Sequence, residues 1–154
     1  MKNLKVLKPK EIKIFDFVEG KSVKIKREIA AIQGDKPGTN IVFIGGMHGN
    51  EPTGVLALHH VMQKLEKLKP LISGSVYAVV GNLTALEKGE RFIVNDLNRI
   101  WQADMVEKAR NKDYHPDEVI NEVEEQIELW AYLDNLLNFC YVKGYFGDLH
   151  TTSV

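Results

Sequence analysis

The sequence predicts an α/β domain in which helices flank a mixed, mostly parallel β-sheet. Three short strand-like segments, at 41–44, 75–80 and 145–150, alternate with two longer segments, 52–68 and 116–139, whose apolar residues recur at helical spacing. Such alternation is typical of parallel sheets, because a helical crossover returns the chain to the same end of the sheet. With 154 residues, of which 44% are hydrophobic, residues 1–154 are long enough to form a single domain with its own core.

Two further strand-like segments precede the first of these strands. Residues 12–18 and 23–32 alternate apolar and polar side chains, and the turn-forming sequence EGKS (19–22) lies between them. This pattern predicts an antiparallel hairpin at the edge of the sheet.

The two helices are predicted to begin at prolines, because a proline suits the first helical turn, where its missing N–H would be unpaired anyway. The acidic run 121–128 of the second helix is interpreted as a solvated face, and His59-His60 of the first helix as a surface or packing pair. Core-facing positions are predicted at Val55, Leu58, Met62, Leu65 and Leu68, and at Val119, Val123, Ile127, Trp130, Leu133 and Leu137.

Residues 81–101 show little periodicity and are predicted to form a long ordered loop, which in a compact domain is usually functional. The overall composition excludes several classes of protein. The net charge of -1 gives no electrostatic basis for binding nucleic acid or an anionic membrane, and no apolar run approaches a membrane span. A single cysteine, Cys140, cannot form an internal disulfide and is interpreted as a small core residue. A soluble, cytoplasmic protein is expected.

The stretch 41–54 (IVFIGGMHGNEPTG) carries the clearest functional signal. Gly45 and Gly46 are predicted to turn the chain at positive φ after a buried strand. His48 and Glu51 then lie on a tight turn at the carboxyl end of that strand, where ligands bind in open α/β sheets. A His-x-x-Glu pair suits zinc, although on its own such a pair also occurs in ordinary surface turns.

His150 follows the last predicted strand, so a parallel sheet would bring it to the same edge as His48 and Glu51. Two histidines and one carboxylate leave a fourth tetrahedral position for water, which is typical of catalytic zinc. A zinc ion that acidifies water and polarises a carbonyl is suited to amide or ester hydrolysis. One zinc ion per chain, held by these three residues, is therefore predicted.

The 81–101 segment adds positive charge and an amide near this edge. Arg91 and Arg99 present planar guanidinium groups that bind carboxylates bidentately, and Asn98 offers a further donor. Together they indicate a substrate that bears a carboxylate close to its scissile bond. Arg91 could instead stabilise a developing oxyanion, and either arginine could form an ordinary surface salt bridge.

Four motifs in this order, HGNE (48–51), a lone Arg91, DLNR (96–99) and DLHTT (148–152), resemble the succinylglutamate desuccinylase/aspartoacylase family, a branch of the zinc carboxypeptidase-like hydrolases. The resemblance extends over most of the chain. It implies zinc ligation by His48, Glu51 and His150, polarisation of the scissile carbonyl by Arg91, binding of the substrate carboxylate by Asn98 and Arg99, and orientation of a ligand histidine by Asp96.

The resemblance also implies a reaction. It is the zinc-dependent removal of the acyl group from an acidic N-acyl amino acid such as N-acetylaspartate or N-succinylglutamate. A metallocarboxypeptidase acting on peptide C-termini would use the same side chains. A non-catalytic zinc- or carboxylate-binding module is the alternative from a different class.

One part of the family pattern has no counterpart in this sequence. The family's general base is a glutamate on a later strand, and a C-terminal β-rich domain follows it, whereas this sequence ends at Val154. The absence of a general base costs about 10² to 10⁴ in rate, so weak or no turnover is expected from this chain alone. An unpaired sheet edge beside the last strand is also expected, which would favour a homo-oligomer.

Overall fold

A computed structural model of the chain describes residues 10–68, 71–111, 113–115, 118, 120–138 and 144–151. Its strands are β1 (Glu11–Asp16), β2 (Lys21–Lys26), β3 (Glu28–Gln33), β4 (Lys36–Gly45), β5 (Ser73–Val80) and β6 (Gly144–Leu149). Its α-helices are α1 (Pro52–Glu66), α2 (Leu83–Lys88), α3 (Ala103–Asn111) and α4 (Asn121–Asn138), and Leu97–Arg99 form one 3₁₀ turn.

The main sheet has four strands in the order β3-β5-β4-β6. Strand β4 pairs in parallel with both β5 and β6, and only β3 runs antiparallel, to β5. Consecutive residues of a strand face opposite sides of a sheet. Ala78 packs in a cluster with Leu58 of α1, and its neighbour Val79 packs in a cluster with Leu129 of α4, so helices cover both faces. The predicted mixed, mostly parallel sheet flanked by helices is confirmed.

The predicted N-terminal hairpin is present, but it does not lie at the edge of the main sheet. Strands β1 and β2 form a separate two-stranded antiparallel sheet. The segment 23–32, predicted as one strand, is divided at Arg27 between β2 and β3. The Arg27 guanidinium is largely buried, donates to the carbonyl oxygen of Val80 at 2.9 Å and pairs with Glu125 and Glu128 of α4. These contacts place Arg27 between the two sheets and explain the break.

Helix α1 begins at Pro52, as predicted, and buries Val55, Leu58 and Met62. It ends at Glu66, before Leu68, whose residue surface is 50% exposed, so the prediction of Leu68 as a core residue is wrong. Helix α4 is described from Asn121. The predicted proline start of this helix and the prediction for Cys140 lie outside the described residues.

The 81–101 segment contains more regular structure than the sequence predicts. Asn82 begins α2 by accepting a hydrogen bond from the backbone N–H of Ala85 at 2.9 Å, and Gly89 ends it in the left-handed region at φ 67°. A helix this short spans fewer than two turns, so its apolar residues cannot show helical periodicity. Helix α3 was not predicted either.

The register of the three parallel strands determines where functional side chains meet. Gly45 at the end of β4 lies opposite Val80 of β5 and Leu149 of β6. The residues that follow these strands therefore emerge at one edge of the sheet. No helix among the described residues is both long and apolar enough to span a membrane.

Candidate metal centre

The turn after β4 begins with two glycines that have different roles. Gly46 adopts a φ of 70°, as predicted, but Gly45 does not have a positive φ, so that part of the prediction is wrong. Gly45 is instead favoured by a close approach, because a Cβ there would make a tight contact of 3.0 Å with the backbone of Gly54 and Val55 in α1. The turn can thus lie directly against the start of α1, where Glu51 precedes Pro52.

His48, Glu51 and His150 meet at this edge, as the sequence predicts. The Nδ1 atom of His48 lies 3.0 Å from Oε1 of Glu51, and the Nδ1 atom of His150 lies 3.3 Å from Oε2. His48 and Glu51 are buried, whereas the side chain of His150 is 33% exposed. The backbone N–H of Thr151 donates to Oε2 of Glu51 at 2.7 Å and holds the carboxylate in place.

A second carboxylate lies behind each imidazole. Nε2 of His48 is 3.1 Å from Oδ1 of Asp96, and Nε2 of His150 is 2.8 Å from Oδ2 of Asp148. Asp96 is thus positioned to orient the ring of His48. Asp148 lies behind the His150 ring in the same way; the sequence does not predict this contact, although the place of Asp148 two residues before that histidine is a usable signal.

These contacts fit a bound divalent cation. A neutral imidazole has only one N–H, yet His48 and His150 each have carboxylate oxygens at both ring nitrogens. If Asp96 and Asp148 accept the Nε2 protons, both Nδ1 lone pairs face Glu51, and a cation between them would remove the repulsion. The three ligand atoms lie within 4.8 Å of one another, and a set of two nitrogens and one oxygen suits zinc.

The same groups keep the acidic residues ionised. Burial opposes ionisation of Glu51, but the Thr151 N–H and the two imidazoles outweigh it and hold the pKa of this carboxyl below its ordinary value. Burial also opposes ionisation of Asp96, while His48, the N–H of Asn98 and Arg91 hold the pKa of Asp96 below its ordinary value. Both residues therefore present negative charge at neutral pH.

The predicted substrate-binding residues differ in how closely they join the centre. Nη2 of the half-exposed Arg91 lies 3.4 Å from Oδ2 of Asp96, and Nη1 lies 4.0 Å from Oε1 of Glu51. Nδ2 of Asn98 lies 3.2 Å from Nε2 of His150. Arg99 is exposed; its backbone N–H donates to the carbonyl oxygen of Asp96 at 2.9 Å, but its guanidinium group forms no hydrogen bond or ion pair with a described residue.

Glu122 is a buried residue for which the sequence does not predict a structural role. Its residue surface is 0% exposed, and its carboxylate accepts hydrogen bonds from the backbone N–H groups of Ile93, Val94 and Asn95 at 2.7, 3.1 and 3.2 Å. Asn82 donates to the same carboxylate at 3.3 Å. Glu122 thereby fixes the segment between Arg91 and Asp96.

The interpretation of the acidic run as a solvated face is wrong for Glu125 as well. Glu125 is buried and accepts from the backbone N–H groups of Leu83 and Thr84 at 3.1 and 2.8 Å, at the start of α2. Two carboxylates of α4, those of Glu122 and Glu125, therefore face loop backbone rather than water. Charge alone did not reveal this role, because an exposed acidic face gives the same sequence pattern.

Two features, a mixed α/β domain and a His-Glu-His group at the carboxyl edge of its sheet, agree with the class of hydrolases that the sequence motifs resemble. The protein-family model of the succinylglutamate desuccinylase/aspartoacylase catalytic domain matches residues 37–135, which is more than half of the chain. The chain belongs to this family, whose members hydrolyse the amides of acyl amino acids. The matched range includes His48, Glu51 and the segment 81–101 that carries Arg91 and Arg99, whereas His150 lies beyond it.

Curated relatives align over the same part of the chain. The succinylglutamate desuccinylase of Pseudomonas paraeruginosa is 30% identical over 94 residues, which cover 60% of this chain and 28% of the relative. A probable aspartoacylase of Nostoc sp. is 33% identical over 75 residues, which cover 48% of this chain and 25% of the relative. The aligned segment thus spans only about a quarter of the length of these curated relatives.

Solved structures show the same fold. The succinylglutamate desuccinylase of Chromobacterium violaceum superposes with a TM-score of 0.62 at 20% identity, covering 78% of this chain and 35% of the other. The enzyme of Vibrio parahaemolyticus superposes with a TM-score of 0.58 at 16% identity, covering 97% of this chain and 42% of the other. The fold is therefore zinc carboxypeptidase-like.

Proposed function

We propose that this chain provides the metal centre and part of the substrate clamp of a zinc-dependent hydrolase that removes the acyl group from acidic N-acyl amino acids. Membership of the family supports the reaction class. The observation that carries the metal assignment is the arrangement around Glu51, with an imidazole Nδ1 at each of its oxygens and a carboxylate behind each ring. One zinc ion per chain would bind to His48, Glu51 and His150.

A zinc ion in this place would polarise the scissile carbonyl and lower the pKa of a water molecule at the site. The remaining tasks belong to the side chains around it. Asp96 and Asp148 keep both imidazoles in the ligating tautomer. The half-exposed Arg91 lies near enough to donate hydrogen bonds to a substrate oxygen as negative charge develops on it.

Recognition of an acidic substrate would use the exposed groups of the same segment. Arg99 has a guanidinium group free of described partners, and Asn98 has an amide already beside His150. Both are placed on the 3₁₀ turn Leu97–Arg99, which Asp96 begins by accepting from the N–H of Asn98 at 3.0 Å. A bidentate contact with a substrate carboxylate would favour N-acetylaspartate or N-succinylglutamate over neutral acyl amino acids.

The metal assignment is tested by zinc stoichiometry. His48→Ala and His150→Ala are each expected to lose one bound zinc ion per chain, because each removes one of three ligands. The exposed Lys36→Ala, at the opposite end of β4, is the matched control and should keep full zinc. Full zinc retention in both histidine variants would overturn the ligand set.

The reaction class is tested by release of free amine from N-acetylaspartate, N-succinylglutamate and a dipeptide by the zinc-loaded chain. Zinc-dependent release from an acyl amino acid supports the proposal. Preferential cleavage of the dipeptide would favour the metallocarboxypeptidase alternative, since the same guanidinium groups can bind a peptide C-terminus.

One observation favours a second candidate, a non-catalytic zinc- or carboxylate-binding module. Within the described part of the chain, the two further carboxylates that contact the centre, Asp96 and Asp148, are both engaged with histidine nitrogens. Neither occupies the free position that a general base requires. Stoichiometric zinc with saturable binding of N-acetylaspartate, but no amine release, would establish this role for the chain.

A further inference from the structure

A second group of ligating side chains lies where the β1–β2 hairpin meets α1. Asp16 ends β1, Glu19 lies in the hairpin turn, and His60 lies in the middle of α1. Each offers one ligand atom, and the three atoms lie within 4.8 Å of one another. None of these residues belongs to the centre around Glu51.

The two oxygens of Asp16 have different surroundings. Oδ1 accepts the backbone N–H groups of Val18 and Glu19 at 2.9 and 3.2 Å, which shapes the hairpin turn. Oδ2 is buried with the rest of the residue, whose surface is 0% exposed, and forms no hydrogen bond with the described residues. A buried carboxylate oxygen without a hydrogen bond is costly unless a cation balances it.

His60 is directed at this oxygen. Its Nε2 lies 2.8 Å from Oδ2 of Asp16, the distance of an ion pair, although the contact lacks the alignment of a hydrogen bond, and Nε2 is also buried without a hydrogen bond among the described residues. Two potential ligand atoms thus point to the same small space. Glu19 stands at its open side with a side chain that is 36% exposed.

We propose that Asp16, Glu19 and His60 form a second, independent binding site for a divalent transition metal such as Zn²⁺. One imidazole nitrogen and two carboxylate oxygens form a donor set that suits zinc, with a fourth position left to solvent. Lys21 pairs with Glu19, but its side chain is 65% exposed and can turn away into water when a cation binds. A metal here would link the separate two-stranded sheet to α1.

The test uses the full chain and the metal alone. Zinc is titrated into a His48→Ala/His150→Ala background, which lacks two ligands of the first centre, so that failure of one site is not mistaken for failure of the other. This background should still bind one zinc ion per chain. Adding His60→Ala or Glu19→Gln should lower that affinity at least tenfold.

His59→Ala is the matched control, because His59 is the adjacent histidine on the same helix and instead contacts Nε2 of Gln63 at 3.0 Å. This variant should bind zinc like its background. Co²⁺ absorption typical of a four-coordinate site should be absent in the His60→Ala variant and present in the His59→Ala variant. If the His48→Ala/His150→Ala background does not fold, His60→Ala or Glu19→Gln is introduced into the unaltered chain instead. Either substitution should then reduce bound zinc from about two ions per chain to about one.

Two results would overturn the proposal. The first is a folded background variant, by circular dichroism, that binds no zinc at micromolar concentration. The second is equal zinc affinity in the His60→Ala, Glu19→Gln and His59→Ala variants.

Discussion

Glu51 contacts every other member of the candidate centre either directly or through one side chain. Each of its oxygens faces one histidine, and Asp96 and Asp148 lie behind those rings. The polar contacts of the centre therefore form one connected network rather than three separate ligands. In such a network the groups behind the ligands orient the ligands and tune metal affinity, although they do not touch the ion themselves.

Asp148→Asn tests this network at a residue that is not itself a ligand. Removing the negative charge behind His150 weakens control of its tautomer, so zinc affinity is expected to fall about 10- to 100-fold. Competition with a chromogenic chelator measures the change. Asp35→Asn, an exposed residue before β4, is the control, and equal affinity in the two variants would contradict the prediction.

At the scale of secondary-structure elements, α4 supports the loops that carry the functional side chains. Glu122 holds backbone N–H groups 93–95 next to Arg91, and Glu125 holds the start of α2. Both carboxylates are buried, and their removal would leave these N–H groups, which lie in partly or fully buried surroundings, without their acceptors. Such groups cost about 1–3 kcal/mol each when unpaired.

Glu122→Gln is expected to loosen the segment that carries Arg91. The oxygen Oε2 accepts from Val94 and Asn95, and an amide NH₂ in its place would face these donors with another donor. Amide hydrogen exchange at residues 93–95 should accelerate about tenfold or more, since 1.4 kcal/mol corresponds to one decade. Glu124→Gln, two residues further along the helix on its exposed face, should leave these rates unchanged.

Loss of zinc without faster exchange at residues 93–95 in Glu122→Gln would contradict a role for this residue in holding the loop. The exchange measurement therefore separates positioning of the loop from general damage to the centre.

Glu125 gives a pH-dependent prediction. Burial opposes its ionisation, but Arg27 and Thr84 hold its pKa below the ordinary value of 4.5. A lowered folded-state pKa means that the stabilisation is fully present above pH 4.5 and is lost as pH falls through the folded-state value. At pH 7, Glu125→Gln should therefore cost about 1.5–3 kcal/mol in the free energy of unfolding.

Denaturant unfolding between pH 7 and pH 3 measures this difference against the exposed control Glu124→Gln. The stability gap between the unaltered chain and Glu125→Gln should be constant down to about pH 4.5 and narrow below it. A gap of the same size at pH 3 would show that ionisation of Glu125 does not contribute.

At the scale of the whole molecule, the described sheet has an exposed edge at β6. This strand pairs with β4 alone among the described residues, and its neighbouring residues Tyr145 and Phe146 are 65% and 61% exposed. Since adjacent residues of a strand face opposite sides of a sheet, both faces of β6 are accessible. An accessible apolar edge strand is a template for pairing with another chain.

We therefore expect the 154-residue chain to self-associate through β6. Phe146→Lys should shift the sedimentation profile toward monomer at tens of micromolar protein, because a lysine on an edge strand opposes strand pairing. Leu71→Lys is the control, since Leu71 is 82% exposed but lies outside this strand. Identical profiles for both variants would exclude β6 as the interface.

Two kinds of feature are predictable from the sequence: elements whose apolar residues recur at regular spacing, and residues that directly follow a strand. His48, Glu51 and His150 were placed correctly because a residue just after a parallel strand must lie at the carboxyl edge of the sheet. The break at Arg27 could not be predicted from local pattern, because the partners of Arg27 lie about 100 positions away on α4. Glu122 depends on tertiary contacts in the same way, and no local pattern distinguishes such a buried acceptor from a solvated acid.

The bond from the Thr151 N–H to Glu51 joins positions separated by 100 residues, so the order of folding bears on the centre. His48 and Glu51 become neighbours as soon as their turn forms, but His150 arrives only when β6 pairs with β4. Long-range contacts of this kind form late, because closing a long loop costs entropy before any contact repays it. A zinc ion held by His48, Glu51 and His150 should therefore bind only after β6 has paired with β4, and it would slow the separation of these two strands.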